Sequence, residues 1–206
     1  MRSDGTIYAA KALVVIIPKE YDLSYNLNVG TTEPVWGSRA DFLEILYDVG
    51  LKKCKVLFIH EKRPYPALVN DAAGETLCDL PGGVLKNGEL SVVGGVREFM
   101  EELGADASAV VGELKLVDVP SPVSAGAQIE GYSISALLYK GNTNFTVQAE
   151  EGIARFEVLP LVDGYHTLKR RHENREECVD LKTLGALLML ERAYMDRFGK
   201  PIFSRE

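Results

Sequence analysis

Concentrated positive charge is what this chain most plainly lacks. Lys and Arg number 23 against 30 Asp and Glu, the net charge is -7, and the longest basic stretch is the LKRR of residues 168–171. A phosphate-backbone footprint needs clustered basic residues, so a nucleic-acid surface protein is disfavoured. Cysteine is scarce as well. Cys54, Cys78 and Cys178 form an odd, widely spaced set without a CxxC, which fits buried free thiols in a reducing compartment better than disulfides or zinc. Long apolar runs are missing too: residues 12–17 and 184–190 are far too short to span a bilayer. Asp4 before the first run, and Glu20 and Asp22 after it, do not suit a secretory signal. The expectation is a cytoplasmic protein with no membrane partner.

What remains is ordinary globular material, 206 residues with 46% hydrophobic and 26% charged, enough to bury a core without disulfide help. No internal repeat or low-complexity segment interrupts it. Residues 7–17 are β-branched and aliphatic and predict a strand. Residues 23–38 predict a loop with Trp36 as a packing anchor. Segments 41–47 and 55–60 predict two strands of a hairpin turning at Gly50. Further strands are expected at 76–80, 114–119, 128–140 and 153–159, with a stiff loop at 120–126. Helices are expected at 161–171 and 179–198, the second with Leu181, Leu184, Leu187, Leu188, Met195 and Phe198 as its apolar side and Glu191 intruding on it.

The densest signal is residues 83–105, GVLKNGELSVVGGVREFMEELGA. As a helix from about Leu90, it gathers Arg97, Glu98, Glu101 and Glu102 in an arc of roughly 140°, with Val92, Val96, Phe99 and Leu103 opposite. Carboxylates ~5 Å apart repel by about 3 kcal/mol per pair at an effective dielectric of ~20. Arg97 supplies one compensating charge, and the remainder calls for a hard divalent cation on oxygen ligands, Mg²⁺ or Mn²⁺. The bland reading of a bare ExxEE string is a solvated acidic face. Gly94 and Gly95 are odd inside such a helix, each costing about 1 kcal/mol against Ala. They imply either close packing of another backbone or a later helix start.

The spacing of Gly83, Glu89, Arg97, Glu98, Glu101, Glu102 and Gly104 resembles the Nudix box at each of its fixed positions, with Ala105 in place of a bulky aliphatic residue. The resemblance implies an α+β fold, an α/β/α sandwich with a mixed central sheet flanked by helices. Residues 1–50 would form a small N-terminal β extension used in dimerisation, and residues 51–206 the Nudix hydrolase domain. It implies one to three Mg²⁺ (or Mn²⁺) ions on Glu98, Glu101, Glu102 and the Gly83 carbonyl, with Arg97 holding Glu89 and a metal-binding glutamate. The activity implied is hydrolysis of a diphosphate linkage in a nucleoside diphosphate derivative.

Smaller likenesses point to the ADP-ribose and nucleotide-sugar pyrophosphatase subgroup. Arg63 matches the arginine of its Gln-Tyr-Arg stretch, although Glu61 and Lys62 replace the first two residues. Pro120 and Ser121 resemble its downstream proline and Ser-Pro-Gly, with Val123 replacing the glycine. Glu151, followed by Ile153, resembles the glutamate that orients or deprotonates water; Glu150 and the box glutamates remain alternatives. The DLKT of residues 180–183 resembles the start of its final helix, with a structural role. A homodimer is expected. Other readings are a housecleaning nucleotide diphosphatase, and a binding module that has lost catalysis.

Overall fold

The computed structural model describes residues 7–23, 39–62, 76–125, 128–148 and 152–203. Eight strands of the described residues make one mixed sheet: β1 (Ile7–Ile16), β2 (Lys55–Lys62), β3 (Thr76–Asp79), β4 (Gly82–Val84), β5 (Val110–Ala125), β6 (Gln128–Tyr139), β7 (Ile153–Pro160) and β8 (Cys178–Val179). Their order is β5-β6-β1-β2-β3-β8, with β4 joined to β1 and β7 to β2. Among the described residues four helices flank it: α1 (Arg39–Val49), α2 (Ser91–Leu103), α3 (Leu161–Glu173) and α4 (Leu181–Phe198).

The continuous apolar run of β1 is explained by burial on both faces. Ala12, Val14 and Ile16 join Val92, Val96, Phe99 and Leu103 of α2 in one core layer. Leu13, Val15 and Ile17 join Phe42, Ile45 and Leu46 of α1 and Leu187 and Leu190 of α4 in the other. The expected sandwich of a mixed sheet between helices is therefore what the chain forms.

Several local expectations are corrected. Residues 41–47 are helical, so no hairpin joins them to β2. Phe42, Leu43, Ile45, Leu46 and Val49 are all buried, and their spacing of three, four and seven marks one helical face. Of the segment expected as an N-terminal β extension, the described strand β1 lies inside the sheet. β1 is parallel to β6 along its whole length on one edge, and its other edge pairs with β2 and β4. A strand with both edges occupied has none to lend a partner's sheet.

Residues 120–125 lie within β5 instead of a loop. Pro120 and Pro122 are tolerated because β5 is an edge strand whose register against β6 shifts between Val117 and Ser121. The apolar side of α4 is also turned. Thr183, Ala186, Leu187, Leu190, Ala193 and Tyr194 are buried, whereas Leu181 is 74% exposed and Leu188 and Met195 are exposed as well. Trp36 falls outside the described residues. None of the described helices is long and apolar enough to cross a membrane.

Candidate functional site

α2 places the acidic cluster. It starts after Leu90, runs through Gly94 and Gly95, and ends on Gly104 in the left-handed region (φ 61°), whose N–H caps the Met100 carbonyl. Of the two interior glycines, Gly94 marks a close approach and Gly95 does not. A Cβ on Gly94 would come within 2.3 Å of Leu85 Cδ2, while one on Gly95 would meet Ala12 Cβ at 3.4 Å.

Arg97 is the hub of the exposed half. Its guanidinium donates to Glu89 Oε1 and Oε2 (2.9 and 3.0 Å), Glu98 Oε1 (2.6 Å), Glu101 Oε2 (2.8 Å) and the Val84 carbonyl (3.1 Å). One cation thus orients three carboxylates. The hydrogen bonds from Arg97, with the Lys86 N–H at 2.8 Å, hold Glu89 down at a pKa of about 2.

The buried half faces the Gly82-Gly83 turn. Glu102 accepts the Gly82 N–H (3.2 Å to Oε2), and the Glu98 carboxylate packs so tightly on Gly83 that a Cβ there would lie 2.5 Å from Oε1. Burial pushes the Glu102 carboxyl up to about 8; Lys11 and the Gly82 N–H pull the other way, and Glu61 and Glu98 push with burial. Hard oxygen donors converging on a glycine cradle suit a divalent cation.

Behind this turn lies a buried ion pair that sequence reasoning passed over. Lys11 Nζ is 2.7 Å from Asp79 Oδ2 and donates to the Leu80 carbonyl (3.1 Å). Burial pulls Lys11 down, but Asp79, Glu61 and Glu102 outweigh it and keep its ammonium charged. Asp79 also accepts the Leu80 N–H (2.7 Å) and the Thr183 hydroxyl (3.2 Å). Asp180 caps α4 by accepting the Lys182 N–H (2.7 Å), so the 180–183 motif anchors the helix beside the loop. The available signal was a lone lysine inside the apolar run of β1. Glu61, which departs from the resembled Gln, is buried near Lys11 and Glu102.

The structure brings Gly83, Glu89, Arg97, Glu98, Glu101 and Glu102 together. Arg63, Glu150 and Glu151 lie outside the described residues. Pro120 and Ser121 are placed only as backbone of β5, Ser121 opposite Tyr132.

No protein-family model matches the sequence, and no curated protein matches it. Solved structures do resemble the fold. The Nudix domain of Shewanella oneidensis NrtR, complexed with ADP ribose, is 12% identical with a TM-score of 0.52, over 91% of this chain and 87% of that one. A C. elegans Ap4A hydrolase in a binary complex is 12% identical with a TM-score of 0.50, over 93% and 99%. RenU, a Nudix hydrolase from M. smegmatis, is 13% identical with a TM-score of 0.50, over 96% and 89%. At these identities the likeness establishes the fold, which is that of Nudix hydrolases.

Proposed function

We propose that this chain is a Mg²⁺- or Mn²⁺-dependent pyrophosphohydrolase. Its substrate is a nucleoside diphosphate derivative, ADP-ribose or a nucleotide sugar, cleaved to a nucleoside monophosphate and a sugar phosphate. The observation that carries this reading is the convergence of Glu98 and Glu102 on Gly82-Gly83, with Arg97 tying Glu98 to Glu101 and Glu89. An acidic face made only for solvation has no reason to bury two of its carboxylates against a glycine turn.

Glu98, Glu101, Glu102 and the Gly83 carbonyl are the ligands we assign. Bound there, the divalent ion supplies Lewis-acid neutralisation of the diphosphate oxygens. The protein's own groups do the rest. Arg97 fixes the rotamers of three glutamates before substrate arrives, so little ordering is needed on binding. Lys11 offsets the charge of Glu102 and fixes the backbone of the glycine turn through the Leu80 carbonyl. Glu151 takes the proton of the attacking water, with Glu150 and the box glutamates as the other candidates, since the base must lie within hydrogen-bond reach of that water. Arg63 holds the substrate diphosphate, and Pro120 and Ser121 are assigned to substrate binding with it.

ADP ribose on the NrtR Nudix domain supports the substrate class. The test is incubation with Mg²⁺ and ADP-ribose, ADP-glucose, GDP-mannose, UDP-glucose and nucleoside triphosphates, with phosphate released from products as readout. Turnover of ADP-ribose or a nucleotide sugar above the triphosphates is expected. Preference for triphosphates assigns the chain to nucleotide housecleaning, and inertness toward all leaves a binding module. The homodimer is carried by the family resemblance alone; sedimentation equilibrium reads it, and a monomeric mass under assay conditions removes it.

A further inference from the structure

On the sheet face away from α2, three side chains meet that the proposed reaction does not use. His60 of β2 stands opposite Cys78 of β3, and Glu177 immediately precedes β8, which pairs in parallel with β3. His60 Nδ1 or Nε2, Cys78 Sγ and a Glu177 oxygen can all lie within 4.8 Å of one another, and all three residues are buried.

His60 carries the argument. Its ring is fully buried, and Nε2 lies 3.2 Å from Glu157 Oε2. Arg171 grips Glu157 with two bonds of 2.7 and 2.9 Å, which keep that carboxyl below the ordinary carboxylate range and ionised. An ionised carboxylate only accepts, and burial raises Glu177 less than the neighbouring His60 and Arg171 lower it, so both ring nitrogens face acceptors and a ring with a single proton leaves one of them bare. Nδ1 is 2.7 Å from Glu177 Oε1, yet no aligned hydrogen bond joins them. Two lone pairs at that distance repel unless a positive species accompanies them, either a second ring proton or a metal ion.

We propose that His60 Nδ1, Cys78 Sγ and the Glu177 carboxylate form a three-ligand site for a zinc-class divalent ion, separate from the hard-ion site on α2. Imidazole, thiolate and carboxylate are zinc donors, whereas an oxygen-only set suits magnesium. Bond lengths of ~2.0–2.3 Å set tetrahedral ligand atoms roughly 3.3–3.6 Å apart, so the Nδ1–Oε1 pair needs to open by under about 1 Å. The partner behind the ring is also in place, because a zinc-bound histidine usually donates its other N–H to a carboxylate, here Glu157.

Charge permits it. Glu157 and Glu177 are balanced by Arg155 and Arg171, both of which contact Glu177 (3.3 and 3.4 Å). A dication that displaces the Cys78 proton to solvent leaves the same single net positive charge as an imidazolium beside an intact thiol. Burial, with Glu177, Asp79 and Glu157 nearby, pushes the Cys78 thiol up against the pull of Arg171, so the metal must displace its proton to bind.

The probe is Co²⁺, added to the chelator-stripped full-length protein. One equivalent is expected to give a thiolate-to-cobalt band in the near ultraviolet with tetrahedral visible bands, bleached by Zn²⁺ and unmoved by excess Mg²⁺. Cys78→Ser should lose the near-ultraviolet band, while Cys54→Ala and Cys178→Ser keep it. Should Cys78→Ser fail to fold by circular dichroism, the Cys54→Ala/Cys178→Ser double variant, with Cys78 its sole thiol, must still show the band. Absence of the band in folded wild type, or its survival in Cys78→Ser, overturns the site. Because the readout is spectroscopic, it is independent of turnover at α2.

Discussion

Glu102 and Glu89 serve the same helix with opposite titration. Burial raises Glu102 to about 8, so its folded form prefers the proton; the stability this gives is full below the ordinary carboxyl value near 4.5 and is lost as pH climbs toward 8. In chelator, thermal melts of Glu102→Gln should therefore overtake wild type increasingly between about pH 5 and about pH 8. Saturating Mg²⁺ should restore the wild type. Turnover of the variant should fall by roughly 10²–10³-fold, the loss of several kcal/mol of charge stabilisation. Hydrogen bonds from Arg97 hold Glu89 near 2, so its contribution is present above about 4.5 and fades as pH falls toward 2. Glu89→Gln should lose on the order of 1 kcal/mol at pH 7, the pair being partly solvent-screened, and converge on wild type in acid melts. The box residues were legible because their spacing is fixed by one helix and one turn. Lys11, Asp79 and Glu61 were not, because residues 68, 18 and 50 positions apart meet only once the strands are laid side by side.

At the scale of the element, sequence left Gly94 and Gly95 undecided, and the packing separates them. Gly95 has ordinary room beside Ala12, so Gly95→Ala should gain up to about 1 kcal/mol of helix propensity. Gly94→Ala must displace Leu85, whose side chain covers the start of the helix, and should fall below Gly95→Ala by roughly 1–3 kcal/mol. Denaturant midpoints of both variants measure the difference; equal midpoints would mean Leu85 simply rotates away. The same weighing of small against large residues explains α4. Its buried side is built around Ala186, Ala193 and Thr183, which look weak in a hydropathy pattern, while the prominent leucines at 181 and 188 face outward. Helix α1 was missed for a related reason: a short segment of closely spaced aliphatics satisfies a period of two as readily as one of 3.6 until its partner layer is known.

Across the whole molecule, the sandwich is locked at one point where β1, β3, the glycine turn and α4 share the Lys11–Asp79–Thr183 network. Removing one partner of a buried ion pair strands the other, so Asp79→Ala should cost about 3–5 kcal/mol, well beyond the ~1–3 kcal/mol of Thr183→Val. Replacing both charges with apolar residues of similar volume removes that penalty, and Lys11→Met/Asp79→Leu should regain most of the lost stability. Turnover should not return with it. Lys11 is a cation that draws Glu102 toward its ionised form and fixes the Leu80 carbonyl ahead of Gly82-Gly83; methionine does neither. Denaturant midpoints and turnover on the same samples therefore separate the two roles of the pair. A double variant that recovers both would reduce Lys11 to a packing element and leave Glu102 tuned by burial alone.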